Sequence, residues 1–245
     1  MIILTKNGIT AVLFDLDGTL RYNQPSSLHF FLDCAVRLGA HDSLECRRQA
    51  IRWAHYFWAQ PENLVNHLRS YFEKDDRFLL EYLKNYLVAF GCNPEQAQAM
   101  AAEVNRITLS EFDPEDCVPA DVFETLDYLK MQEFRLAIIT NRHEPCYEQL
   151  EKLGLLPYFE SIVIAGDINR WKPEAEIFNY ALEQLGIDAS EALYVGDNYY
   201  SDIIGAQRVG LSPVLIDPEG IFPDAKCRVI NQLGDLIELD YKDIQ

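Results

Sequence analysis

The chain is short of positive charge. Against 39 Asp and Glu it carries only 21 Lys and Arg, a formal net charge of −18 over 245 residues. A chain this acidic is repelled by nucleic acid and by anionic membrane surfaces, so neither is an expected partner. Long apolar runs are missing too, since no stretch approaches the ~18 uninterrupted residues of a spanning helix. The opening MIILTKNGITAVLFDLD has no basic flank ahead of its apolar run, and Asp15 breaks that run, so no signal peptide is expected. The six cysteines (Cys34, Cys46, Cys92, Cys117, Cys146 and Cys227) lie far apart with no CxxC pair. That scatter predicts reduced thiols in a cytoplasmic protein. The five histidines form no HxH or HxxxH pair, which leaves a zinc site unsupported. Neither GxxxxGK[ST] nor a post-strand GxGxxG occurs, so nucleotide-loop folds are unsupported as well, and no repeat of fixed period is present.

What the chain does have is an alternation of two textures. ITAVLFDLD, FRLAIITN, ESIVIAGD, ALYVGDN and SPVLID are short, β-rich apolar runs without polar alternation, as expected of strands buried on both faces of a parallel sheet. Four of the five close on an acid: Asp15, Asp167, Asp197 and Asp217, the last of which reads more simply as a turn with Pro218. FRLAIITN closes instead on Thr140-Asn141. In open α/β sheets ligands gather at the carboxyl ends of the strands, which makes these residues candidates.

Between Asn23 and Asp113 the texture is helical. SSLHFFLDCAVRLGA, SLECRRQAIRWAHYFWA, ENLVNHLRSYFE, DRFLLEYLKNYLVAFG and NPEQAQAMAAEVNRITLSEF repeat apolar residues three and four apart, with Ser, Asp or Asn near each start. Asp15 and Thr140 are about 125 positions apart, whereas a plain crossover between adjacent parallel strands takes on the order of 12–30 residues. The excess predicts an α-helical domain, residues 22–113, inserted into an α/β core of residues 1–21 and 114–245 with a doubly wound parallel sheet. The dense aromatic stretch Trp53, Tyr56, Phe57 and Trp58 has helical spacing with Ala50 and Ala54 and reads as the core of that block rather than a substrate wall.

Four groups could do chemistry. Asp15-Leu16-Asp17-Gly18-Thr19 puts two carboxylates just past a buried strand, with Gly18 free to take a tight or left-handed turn. Acids so close repel unless a cation or a shared proton intervenes, and oxygen-only ligation suits a hard ion such as Mg²⁺; an Asx-type turn is the plain alternative. Thr140-Asn141 offers a hydroxyl and backbone N–H groups to a phosphate oxygen, or simply caps a helix. Lys172 precedes Pro173, which reads as the first residue of a helix with Glu174 and Glu176 in its first turn. Gly196-Asp197-Asn198-Tyr199-Tyr200-Ser201-Asp202 pairs a strand-end acid with one at a helix start, and the two can converge on one ion or one lysine.

Taken in order along one inferred sheet, these groups resemble the four motifs of the haloacid dehalogenase-like (HAD) hydrolase superfamily, and the helical block sits where that superfamily carries its cap. The resemblance implies a phosphatase with Asp15 as nucleophile, passing through an aspartyl phosphate, and Asp17 as general acid and base. It implies Mg²⁺ held by the Asp15 carboxylate, the backbone carbonyl of Asp17 and Asp197. It assigns phosphoryl binding to Gly18, Thr19, Thr140, Asn141 and Lys172, and to Asp202 the orientation of Lys172 or of a metal-bound water. The helical block would act as a lid. Arg21 and Arg142 would reach a second anion on a small phosphorylated substrate. The chain reads Leu20-Arg21-Tyr22-Asn23-Gln24 where many relatives continue with a short polar pair, so the resemblance names no substrate. A phosphomutase, a haloacid dehalogenase and a non-catalytic binding protein are the alternatives; Asp17 argues against the dehalogenase, whose halide leaving group needs no proton. The oligomeric state is not legible.

Overall fold

A computed structural model describes residues 8–73 and 75–239; the seven residues that open the segment read above as no signal peptide, Lys74, and residues 240–245 lie outside the described residues. Along the chain, β1 (Ala11–Phe14) leads to β2 (Tyr22–Gln24) and to five helices, α1 (Ser27–Arg37), α2 (Leu44–Trp58), α3 (Pro61–Glu73), α4 (Arg77–Ala89) and α5 (Pro94–Glu111). Then come β3 (Glu115–Cys117), α6 (Val122–Met131), β4 (Arg135–Thr140), α7 (Tyr147–Lys152), β5 (Ser161–Ile164) and α8 (Ala165–Ile168). The last part holds α9 (Ala175–Leu185), β6 (Ala192–Gly196), α10 (Ile204–Arg208), β7 (Ser212–Ile216) and β8 (Arg228–Ile230). No described helix is long and apolar enough to cross a membrane. All six cysteines are free thiols.

The chain divides into two compact units. The first, taken over its described residues 8–22, 118–218 and 222–239, has an α/β architecture. Its sheet runs β5-β4-β1-β6-β7-β8 with every pairing parallel. The strands are aliphatic because both faces are covered: Ala11, Val12, Leu13 and Phe14 are all fully buried. Val12, Phe14, Leu136, Ile138, Leu193, Val195 and Val214 pack with Leu126 and Leu129 of α6 in one apolar cluster. β1 lies between β4 and β6, with Phe14 level with both Ile138 and Val195. The strand order reverses direction of travel around β1, which is the place where open α/β sheets bind ligands.

Two details of this unit differ from the sequence reading. Asp167 does not end a strand: β5 stops at Ile164, and Asp167 lies in the short helical turn α8, closed by a left-handed Asn169. Pro173 is not the first helical residue. Residues 171–174 make a separate turn, in which Glu174 N donates to Trp171 O (2.8 Å) and Trp171 N to Glu174 Oε2 (3.0 Å). Glu174 is left extended, and α9 begins only at Ala175. Asp217 does form a turn, accepting from Phe222 N at 2.8 Å.

The second unit, Asn23–Cys117 with Glu219–Ile221, is helical. Two of its helices, α2 and α5, begin at side-chain caps: Ser43 Oγ accepts from Cys46 N (3.2 Å), and Asn93 Oδ1 from Gln96 N (2.9 Å). α4 buries Tyr82, Leu83, Tyr86 and Leu87, one face of a 3.6-residue period, and packs on α2 and α5. Trp53 stacks on Phe57 at 5.1 Å and tilts onto Tyr82 at 5.6 Å, while Ala50 and Ala54 are fully buried; Trp53, Phe57 and Trp58 are half-buried at the margin of this packing, and Tyr56, expected with them in the core, is exposed. Two pieces escaped the sequence reading. A two-stranded sheet of β2 and β3 flanks the helices, and Glu219–Ile221 joins the helical unit, its carbonyls accepting from Arg48 Nε and Arg52 Nε at 2.8 Å each.

Candidate active site

Asp15 follows β1, Thr140 closes β4 and Asp197 follows β6, so three adjacent strands deliver their ends to one place. The Asp15 N–H continues the ladder for one more residue, donating to Val195 O at 2.8 Å. The chain then folds back sharply. Leu20 N and Arg21 N both donate to Leu16 O (3.0 Å), and Gly18 N donates to Arg21 O (2.7 Å). Gly18 takes φ +95° in this turn, and a Cβ there would stand 2.4 Å from Asp197 Oδ2. Only glycine meets both demands.

Lys172 is carried in by its backbone. Asn141 Oδ1 accepts from Lys172 N at 2.7 Å and Asn141 Nδ2 donates to Lys172 O at 3.0 Å. The side chain of Asn141 is thus spent at both ends on seating Lys172. The lysine is 2% exposed, and a buried ammonium needs partners. Nζ has three: Asp15 Oδ1 at 2.5 Å, Asp202 Oδ1 at 2.8 Å and the Tyr194 hydroxyl at 3.0 Å. Burial alone would push its pKa down, but the charges of Asp15 and Asp202 prevail and hold it well up, so it stays charged. Tyr194, read from the sequence only as part of a buried strand, closes the group with its hydroxyl 3.3 Å from Asp202 Oδ1. A phenol inside an otherwise aliphatic run was the signal available, because a buried tyrosine hydroxyl finds a partner.

The acids converge. Oxygens of Asp15, Asp197 and Asp202 all lie within 4.8 Å of one another. Burial pushes the Asp15 carboxyl up to about 7 against the pull of Lys172, with Asp202 and Asp17 adding to the rise. Burial, then the charges of Asp15 and Asp202, push Asp197 well up as well. With all three carboxylates ionised against one ammonium, the cluster would hold two excess negative charges, which one divalent cation would balance. All-oxygen donors suit a hard ion, so the residues fit a metal. Asp202 spends Oδ1 on Lys172 and Oδ2 on Asn198 N (3.0 Å), which leaves Asp15 and Asp197 the freer ligands.

Thr19 Oγ1 lies 3.4 Å from Asp15 Oδ2, and Thr140 is buried at the end of β4. Arg21 and Arg142 were expected to point at a substrate anion. In the structure both hold Asp17: Arg142 Nε lies 2.7 Å from Oδ2 and Nη2 2.7 Å from Oδ1, and Arg21 Nη1 donates to Oδ1. That acid lies three residues past the end of β1 and takes both guanidiniums. Burial would raise the Asp17 pKa, yet the hydrogen bonds and charge of Arg142, followed by those of Arg21, bring it below the usual carboxylate range.

Residues 12–216 match the family described as haloacid dehalogenase-like hydrolase. The chain is 32% identical over 213 residues to a ribulose-1,5-bisphosphate 5-phosphatase of Halopiger xanaduensis, covering 85% of each chain. It is 33% identical over 240 residues to a glyceraldehyde 3-phosphate phosphatase of Methanopyrus kandleri, covering 95% of this chain and 93% of that one. Among solved structures, a 2-haloacid dehalogenase of Pseudomonas syringae pv. Tomato is 27% identical with a TM-score of 0.54, over 94% of this chain and 97% of that one.

Proposed function

The chain belongs to the haloacid dehalogenase-like hydrolase family, and from that premise we propose that it is a Mg²⁺-dependent phosphatase of small phosphomonoesters, working through an aspartyl phosphate on Asp15. The observation that carries this reading is the meeting of Asp15 with Lys172 and with two further acids in a cluster that is two charges short of neutrality when fully ionised. A dehalogenase has no use for that deficit or for a second acid in the Asp15 loop. The relatives named above as phosphatases support the same class.

Mg²⁺ would be held by the carboxylates of Asp15 and Asp197 and by the backbone carbonyl of Asp17. When bound it draws charge from the phosphoryl oxygens. Lys172 and the Thr140 hydroxyl bind two of those oxygens, with Thr19 and the backbone at Gly18 and Asn141 beside them. Asp202 and Tyr194 keep the ammonium aimed. A carboxylate oxygen of Asp15 attacks phosphorus, the ester P–O bond breaks, and Asp17 gives the departing oxygen its proton. Asp17 then takes a proton from water, the water oxygen bonds to phosphorus, and the Asp15–phosphorus link breaks to free phosphate. Positioning and charge do most of this work, as phosphoryl transfer requires. At −18 the whole chain repels an anionic substrate, so the local cations must reverse the sign of the field at the site. The six free thiols suit a reducing, cytoplasmic setting.

The test is phosphate release from a panel of sugar phosphates, phosphoacids, nucleotides and pyrophosphate, with Mg²⁺ and with excess chelator. Magnesium-dependent release is expected. Halide release from 2-haloacids without phosphate release would establish the dehalogenase instead, and transfer of the phosphoryl group between substrate positions, a mutase.

A further inference from the structure

One acid singled out in the sequence takes no part in the cluster around Lys172. Asp167 sits in the α8 turn, and among the described residues no cation or hydrogen-bond donor is paired with it. It lines a cavity of about 400 Å³ beside β5, the strand that ends the sheet on this side. Helices approach that edge from both faces. Leu150 of α7 belongs to the apolar cluster with Leu193 and Val195, whereas Phe178 of α9 meets Tyr194, which points the other way from the same strand. Tyr147 opens α7 and Tyr180 lies midway along α9, so a tyrosine reaches the cavity from each face of the sheet. Ile162, Ile164 and Ile168 supply apolar wall.

No Lys, Arg or His lines this cavity. Its second acid, Glu160, is already held by Arg135, whose Nε lies 2.8 Å from Oε2. Asp167 is therefore the one lining charge without a partner. Burial, followed by the charge of Asp167, pushes the Tyr147 hydroxyl up, with Cys146 and Tyr180 adding to the rise, so the tyrosines and the acid share one neighbourhood.

That composition selects among ligands. An anion would meet a carboxylate and no base. A hard metal ion asks for several oxygen ligands, and only one carboxylate here is unpaired. A cation with an apolar body finds aromatic rings that attract positive charge, isoleucines for its carbon frame and a carboxylate for its head. We propose that this cavity is a binding site for a small organic ammonium compound, held by Tyr147 and Tyr180 with its charge toward Asp167. The volume lies within the range of small-molecule pockets, and a chain at −18 gathers cations at its surface. The site shares no residue with the cluster of Asp15, Lys172, Asp197 and Asp202, so it stands or falls apart from the phosphatase reading.

The probe is phenethylamine, with phenethyl alcohol as its neutral counterpart and hydrocinnamate as an anionic one. Protein with isotope-labelled isoleucine methyls is titrated with each by nuclear magnetic resonance, in saturating Mg²⁺. Phenethylamine should shift the Ile162, Ile164 and Ile168 methyls and saturate in the millimolar range. It should bind about 10-fold more tightly than the alcohol, the worth of a cation on two ring systems and one exposed carboxylate. Hydrocinnamate should leave those methyls in place. Asp167→Asn should weaken the amine by about 3-fold and leave the alcohol unchanged. Tyr180→Ala should weaken the amine more than the alcohol. Asp167 and Tyr180 are both exposed, so neither change threatens the fold. Absence of any shift at these methyls with phenethylamine overturns the proposal. Equal affinity for amine and alcohol, the mark of an apolar hole, overturns it too, as does amine binding indifferent to Asp167→Asn.

Discussion

A Cβ on Gly18 would stand 2.4 Å from Asp197 Oδ2, with Oδ1 and Cγ of the same carboxylate within 3.0 Å. The two positions are far apart in sequence, yet the Asp197 carboxylate rests against bare backbone. Gly18→Ala therefore has to push that carboxylate out of the acid cluster and hold φ +95° with a side chain. The left-handed backbone costs about 1–2 kcal/mol of stability. Displacing this carboxylate by about an ångström should cost turnover on the order of 10²-fold. Thermal unfolding together with kcat at saturating Mg²⁺ checks this; normal turnover with reduced stability would show that the close approach has no functional weight.

Asp15, raised to about 7, and Asp197, raised well up, make a pH prediction with a definite sign. Unfolded aspartates lose their protons near pH 4, so between there and pH 7 the native metal-free protein binds more protons than the unfolded chain. These groups' contribution to stability is fully present below the unfolded pKa and is lost as pH rises through the folded one. In chelator the melting temperature should fall from pH 5 to pH 8 on their account. Mg²⁺ needs the ionised carboxylates, so its stabilising increment should grow over the same window. Thermal melts with chelator and with Mg²⁺ across that range decide it; an Mg²⁺ increment that shrinks with rising pH would contradict the assignment.

The fold was legible where the cause is local. Aliphatic runs such as AVLF and ALYVG read as buried strands because nothing polar interrupts them, and Ser43 and Asn93 announce their helices by capping them. Asp15, Lys172, Asp197 and Asp202 could be read as candidates for the same reason, each sitting beside a strand end or a helix start. What stayed hidden depends on distant partners. Asp17 and Arg142 are 125 residues apart, and no local pattern says that one guanidinium will fork onto that acid. Asn141 turns to the Lys172 backbone 31 residues away, which nothing in Thr140-Asn141 announces. Glu219–Ile221 belongs with helices some 170 residues earlier through its carbonyls, and carbonyls leave no mark in a sequence.

Tyr194→Phe removes one of three partners of the Lys172 ammonium and keeps the ring, whose edge-on contact with Phe178 at 5.2 Å remains. The fold should survive. Losing one hydrogen bond to a charged group should lower kcat/KM on the order of 10-fold. A variant with unchanged kcat/KM would show that Asp15 and Asp202 aim the lysine unaided.

Asp15→Asn keeps the size of the side chain and removes its charge. Turnover of an aryl phosphate should fall to background, with the native circular dichroism retained. A labelled phosphoenzyme, trapped by acid quench in the wild type, should be absent. A folded variant with near-normal turnover would end the nucleophile assignment.

Asp17 can be separated from the rest of the site by varying the leaving group. An alkoxide needs a proton as it departs, and a very acidic phenol does not. Asp17→Asn should therefore slow hydrolysis of alkyl phosphates by roughly 10²–10⁴-fold, the usual worth of general acid–base catalysis. Formation of the aspartyl phosphate from a nitrophenyl ester should be slowed far less. Its hydrolysis still needs a base, so phosphoenzyme should accumulate on that substrate. The asparagine also gives Arg21 and Arg142 an amide in place of the carboxylate they grip, which weakens the hold without removing it. The measurement is single-turnover phosphorylation and dephosphorylation against leaving-group pKa for both proteins. A steeper dependence in the variant than in the wild type identifies Asp17 as the proton donor; parallel slopes would leave it a structural partner of the two arginines.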